Sequence, residues 1–156
     1  MTGTPLFHIG VLVEDIDAAI VRFGELLGLT FREPSTMALE DTTVDGVKFE
    51  GSITFVYSVE GPPYLELIQS QDSGLWGRQH GEGLHHIGVS QDDLEARILE
   101  LQAVQAEPQA IISHLGQVLA VYLTPESAHG TRLEYVRPRP TKSVPAPAPT
   151  AASDRG

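Results

Sequence analysis

Two histidines and two glutamates carry the chemistry that this chain can be expected to perform. His8 lies in FHIGVLVEDIDAA and His86 in HHIGVSQDDLEAR, while Glu66 and Glu134 follow a leucine in YLELIQ and RLEYVRP. The chain has no cysteine, so disulfides and thiolate metal sites are excluded and any metal must be held by imidazole and carboxylate. A buried ionised carboxylate is costly without a counter-charge or a metal. Two carboxylates and two imidazoles that converge therefore explain one another best as ligands of one divalent cation. Such a nitrogen and oxygen donor set suits Co, Ni, Zn, Mn or Mg and leaves positions open for substrate oxygens. Taken singly, each histidine would read as a hydrogen-bonded core residue and each glutamate as a surface acid. Their matched places in a repeat favour the site.

That repeat also predicts the elements that position them. Placing His8 on His86 brings Ile9, Gly10, Val11, Asp15 and Ala18 onto Ile87, Gly88, Val89, Asp93 and Ala96. Each copy reads as an apolar strand leading to an acidic helix start, with Asp15 and Asp92 or Asp93 as N-caps. Apolar residues then recur at helical spacing, from Ile16 to Leu27 and from Leu94 to Val104, and Gly28 marks the first helix end. GSITFVYSV at 51–59 and GQVLAVYLT at 116–124 alternate as strands, and the Leu-Glu strands close each half. In a strand, Glu66 shares a face with Tyr64 and Ile68, while Leu65 and Leu67 face the other way. By the same alternation His86 is matched to His8, and His85 is expected to point to the opposite face.

The organisation expected is a first module at 1–70, a polar, Gly-rich linker at 71–83, a second module at 84–140 and a disordered Pro/Ala-rich tail at 141–156. Neither half could bury its sheet alone, so the two should pair about a pseudo-twofold axis. With 21 acids against 10 Lys plus Arg, the net charge of −11 offers no basic patch for nucleic acid. No apolar run reaches the length of a membrane span, and the N-terminus has no basic leader, so a cytoplasmic location without membrane contact is expected.

These features resemble the vicinal-oxygen-chelate superfamily, which includes glyoxalase I, methylmalonyl-CoA epimerase, extradiol dioxygenases, and the fosfomycin and bleomycin resistance proteins. The likeness covers about residues 6–138. It is greatest to the epimerases, through Trp76 and GLHHIGV and through the TPESAHGTRLEYV ending. The resemblance implies an α+β fold of two paired βαβββ modules forming an eight-stranded, incompletely closed mixed β-barrel with two main helices. It also implies a metal held by His8, Glu66, His86 and Glu134, and a homodimer. The chain departs from the epimerases in having Thr124-Pro125 for their His-Pro, Gly116 alone for a Gly-rich approach, and Thr43-Val44-Asp45-Gly46-Val47 for their Glu-X-X-Gly-Val.

The function implied is an epimerase or isomerase that abstracts a proton α to a carbonyl on a small-molecule substrate such as an acyl-CoA thioester. Glu134 would serve as one base, and Glu40 or Glu50 as the second. Two alternatives stay open: a lactoylglutathione lyase of the glyoxalase I type, and a metal-free protein that sequesters a small molecule. Beyond Arg22, Arg32 and Arg78 no basic cluster stands out for glutathione carboxylates. Phe55, Tyr57, Tyr64, Tyr122 and Trp76 are candidates for a substrate pocket, with sheet or core packing as the alternative for most of them.

Overall fold

A computed structural model of the chain describes residues 3–138, so the tail expected at 141–156 lies outside the described residues. The first half runs β1 (Leu6–Val13), α1 (Ile16–Leu27), β2 (Ser35–Val44), β3 (Val47–Tyr57) and β4 (Tyr64–Gln69). The second repeats the order as β5 (Gly83–Ser90), α2 (Leu94–Ala103), β6 (Pro108–His114), β7 (Gln117–Leu123) and β8 (Leu133–Val136). The caps are the expected ones. Asp15 accepts from the Ala18 amide and Asp93 from the Ala96 amide, and Gly28 ends α1 in the left-handed conformation. Each such cap is worth about 1 kcal/mol.

Three strands follow each helix because each half carries a tight hairpin. Asp45–Gly46 joins β2 to β3 and Leu115–Gly116 joins β6 to β7, all four residues having positive φ. That backbone suits a two-residue primed turn, whose twist matches that of the flanking strands.

The eight strands close into a ring in the order β1-β4-β3-β2-β6-β7-β8-β5. Only β1·β4 and β5·β8 are parallel, so the barrel is mixed. The ring closes where incomplete closure was expected, but through a weak seam: β2 and β6 share two residue pairs, Thr43↔Ile111 and Val44↔Ala110. Beyond them Asp41 has positive φ and interrupts the β2 register. Side chains then bridge the gap. Thr42 Oγ1 accepts from the Ser113 amide at 3.0 Å, and the His114 ring lies 2.9 Å from the Ala38 carbonyl.

Strand alternation decides what lies inside. On β4, Leu67 packs outward with Val11, Val13 and Val56 under α1, whereas Ile68 joins the interior cluster of Leu12, Leu39, Ile53, Trp76 and Tyr122. Leu94 and Leu101 of α2 cover Val121, Leu123 and Tyr135 in the same way. The helices thus cover the outside of the sheet, and the barrel interior holds aliphatic and aromatic side chains together with the polar groups of the site. Among the described residues, no helix is long and apolar enough to cross a membrane.

Candidate metal centre and its cavity

The two opening strands lie side by side and antiparallel, which joins the halves of the repeat at the site. In the β1·β5 register His8 stands opposite Gly88, and Gly10 opposite His86. The absence of a side chain at each glycine makes room for the imidazole of the other half. A methyl group built on Gly10 would overlap the His86 ring, and one on Gly88 the His8 ring. The closing strands then bring the carboxylates in register, with Gly10 paired to Glu66 and Gly88 to Glu134.

His8, Glu66, His86 and Glu134 therefore meet, all four buried, with one ligand atom from each lying within 4.8 Å of the others. The two Nε2 atoms are 2.8 Å apart. Glu134 Oε2 lies 2.7 Å from His8 Nε2 and 3.2 Å from His86 Nε2, and Glu66 Oε2 lies 3.4 and 3.2 Å from the same atoms. Such edges are those of donors sharing one cation at bonds of roughly 2.0–2.2 Å. Two imidazole nitrogens this close repel if both carry protons, and a cation between their lone pairs removes the conflict. The donor set thus fits a divalent metal.

Without metal, the cluster is a mutually compensating set of charges. Burial opposes charge on His86, but Glu134 and Glu66 outweigh it and push His86 up to about 9; His8 is raised in the same way. Burial likewise opposes ionisation of Glu134, yet His8 and His86 hold its carboxyl well below the usual range. Metal must displace protons from the imidazoles. Its affinity is expected to climb about tenfold per pH unit for each proton released, up to pH about 9, and then to level off. The same raised value stabilises the metal-free fold fully below the unfolded histidine value of 6.5, an effect lost as pH rises through about 9. Titration calorimetry in buffers of different ionisation heat would count the protons, and a pH-independent affinity would contradict this electrostatic reading.

Beside the cluster stand Tyr57 and Tyr122, also related by the repeat. Tyr57 pairs with Glu66 across β3·β4, and Tyr122 with Glu134 across β7·β8. Burial, followed by the charges of Glu66 and Glu134, raises both phenols well above 10, so each stays protonated and can donate to its carboxylate. Their signal in the sequence was the shared Val-Tyr of TFVYSV and LAVYLT. Read for alternation alone, that signal did not separate a site residue from a packing residue.

Glu66, Glu134, Tyr57 and Tyr122 border a cavity of about 470 Å³. Six of the chain's ten aromatic residues (five Phe, four Tyr, one Trp) line it: Phe7, Phe55, Tyr57, Tyr64, Trp76 and Tyr122. The cavity is thus built for the apolar part of a small molecule, with its polar end at the cluster. Arg32 and Arg137 also lie in its wall. Trp76 is buried in the interior against Tyr122 and Phe49.

Glu40, Glu50 and His85 lie as follows. Glu40 and Glu50 are exposed and sit with Lys48 at a separate surface depression, away from the cluster, and Glu50 pairs with Lys48 at 3.5 Å. Leu39 and Phe49, the residues before them, pack into the interior, so strand alternation turns both carboxylates outward. His85 does not point away from His86 but lies buried beside it, Nδ1 to Nδ1 at 2.9 Å. The cause is a β-bulge. The register passes from Gly10↔His86 to Val11↔Leu84, so His85 is the extra residue, and a matching shift makes Phe7 the extra residue on β1.

This fold and site define a class. Residues 7–111 match the sequence model of the Glyoxalase/Bleomycin resistance protein/Dioxygenase superfamily, and the chain belongs to it. Methylmalonyl-CoA epimerases are among the similar solved structures. The Streptomyces coelicolor enzyme in complex with 2-nitronate-propionyl-CoA is 21% identical over 87% of this chain and 98% of that one, with a TM-score of 0.59. The Mycobacterium tuberculosis enzyme is 19% identical over 90% and 94%, with a TM-score of 0.64. A hypothetical protein from Bacillus halodurans is 22% identical over 92% and 100%, with a TM-score of 0.62. No curated protein matches the sequence. At these identities the structural likeness establishes the fold.

Proposed function

We infer that the protein is a metal-dependent isomerase that removes a proton α to a carbonyl and returns it on the other face, acting on an acyl-CoA thioester such as methylmalonyl-CoA. The observation that carries this reading is the convergence of two carboxylates and two imidazoles beside a cavity walled largely by aromatic residues. The acyl-CoA ligand of the Streptomyces coelicolor neighbour supports the substrate class. A divalent cation held by His8, Glu66, His86 and Glu134 would supply stabilisation for the negative charge that builds on substrate oxygens as the α-proton leaves.

The chain's own groups do the rest. Glu134 takes the part of the base, its carboxylate lying both in the cluster and in the cavity wall. Glu66, from the repeat-related strand, is a candidate for the second acid–base group beside Glu40 and Glu50. Tyr57 and Tyr122 donate to Glu66 and Glu134 and fix their orientation. Arg32 and Arg137 offer cationic donors to a substrate carboxylate, and the aromatic walls exclude water from the reacting carbon. A homodimer belongs to the same proposal.

Proton exchange tests it directly. Metal-loaded and metal-stripped protein would be incubated in heavy water with methylmalonyl-CoA and, separately, with the glutathione hemithioacetal of methylglyoxal, and followed by NMR. Deuterium should enter the α-position of the thioester only with the loaded protein. Turnover of the hemithioacetal alone would make the enzyme a lyase. Inertness toward both would leave a small-molecule binding protein.

A further inference from the structure

We propose that Trp76 is the specificity-determining residue of the cavity: its indole closes one end of the barrel lumen, so that the site takes acyl thioesters with a short α-substituent and turns away those with a long one. The inference deepens the isomerase reading above and rests on it.

An eight-stranded barrel has an interior just wide enough to be filled by side chains or to hold one small ligand. This barrel does both. Ile53, Ile112, Ala120, Tyr122 and Trp76 line the cavity and also belong to the buried interior cluster. Leu12, Leu39, Ile68, Leu75 and Ala110 of the same cluster do not border the cavity and fill the rest of the lumen. Trp76 stands at the boundary between the filled and the open part, 1% exposed and the largest of the fully buried side chains. It meets Tyr122 and Phe49 edge to face, with ring centroids 6.0 and 6.3 Å apart.

The indole is the one lining group that comes from the segment between β4 and β5. That segment is a stopper rather than a loose link. The Gln71 amide donates to the Trp76 carbonyl and the Arg78 amide to the Gln71 carbonyl, both at 2.8 Å. Gln71 Nε2 donates to the Ser52 carbonyl of β3 at 2.6 Å, and the Gln79 side chain to the Gly74 carbonyl at 2.7 Å. A methyl group built on Gly77 would overlap the Gln79 side chain and the Ser73 backbone. The indole is thus fixed through its own backbone and backed by close-packed side chains, which yield little to an intruding group. Coenzyme A is too large for about 470 Å³ and must extend to solvent. With the substrate oxygens at the cluster, the α-substituent is the part that turns toward the closed end.

The test measures binding rather than turnover. Calorimetry gives the dissociation constants of methylmalonyl-CoA and butylmalonyl-CoA for the zinc-loaded full chain as wild type, Trp76→Leu and Trp76→Phe, with thermal melting of each. The emission of Trp76, the chain's sole tryptophan, is followed in the wild type. A methylene for which a pocket has no room costs about 10–200-fold, so the wild type should bind methylmalonyl-CoA at least about tenfold more tightly than butylmalonyl-CoA. Trp76→Leu should remove or reverse that preference and Trp76→Phe reduce it, the latter carrying the comparison if the former does not fold. Methylmalonyl-CoA should change the Trp76 emission and free coenzyme A should not. The proposal is overturned if the wild type binds both thioesters alike, if the folded variants keep the wild-type ratio, or if free coenzyme A changes the emission as the thioester does. Discrimination without α-proton exchange would sink the isomerase reading and leave the role of Trp76 standing, whereas no binding of either thioester would remove both.

Discussion

Replacing His86 by alanine is expected to abolish stoichiometric metal binding and, with it, α-proton exchange. Outer-sphere partners of a metal are worth 10–100-fold in affinity, and loss of a direct ligand should exceed about 100-fold. The effect reaches beyond the missing bond. His86 Nε2 lies 3.2 Å from both Glu66 and Glu134, so its removal leaves two buried carboxylates sharing His8 alone. Breaking a buried charge pair costs about 3–5 kcal/mol, and the metal-free variant should melt well below the wild type. Elemental analysis of both proteins, purified without chelator, reads the first effect, and calorimetry the second. One equivalent of metal retained by His86→Ala would remove His86 from the ligand set.

Gly10→Ala should be nearly as damaging, although it removes nothing. The added methyl overlaps the His86 ring, which is held by His85 at its Nδ1 and by both carboxylates at its Nε2, so making room disturbs these contacts. Overpacking of this kind costs about 1–3 kcal/mol, which for a domain of this size lowers the melting temperature by roughly 3–10 °C. Displacement of the ring by even a fraction of an ångström should also weaken metal binding. Gly88→Ala should reproduce both effects through His8. Gly3→Ala, where nothing lies within 4 Å, is the control. Wild-type melting and metal content in Gly10→Ala would mean that the two halves are not interlocked through their glycines.

The His-Ile-Gly-Val repeat thus encodes two things at once, a ligand and the space for its counterpart. Only the first was readable from the chain. Matching His8 to His86 and Glu66 to Glu134 was enough to predict one site, because charged groups at corresponding places in a duplicated unit need a common explanation. The helices and their caps were equally legible, since Asp15, Asp93 and Gly28 act on backbone groups within a few residues of themselves.

What the sequence could not determine lies in pairing between distant strands. That Gly10 faces His86 depends on the β1·β5 register, which local residue patterns do not state. The bulges at Phe7 and His85 overturn simple alternation, because one extra residue on a strand turns the following side chains to the other face. The exposure of Glu40 and Glu50 likewise depends on which faces turn inward, since Leu39 and Phe49 before them pack into the interior. The sequence by itself determined the repeat, its elements and the four groups that must converge. Tertiary structure alone decided which groups stand behind them, since a hydrogen bond across 2.9 Å between bulged and regular strand positions depends on chain geometry that no spacing of residues specifies.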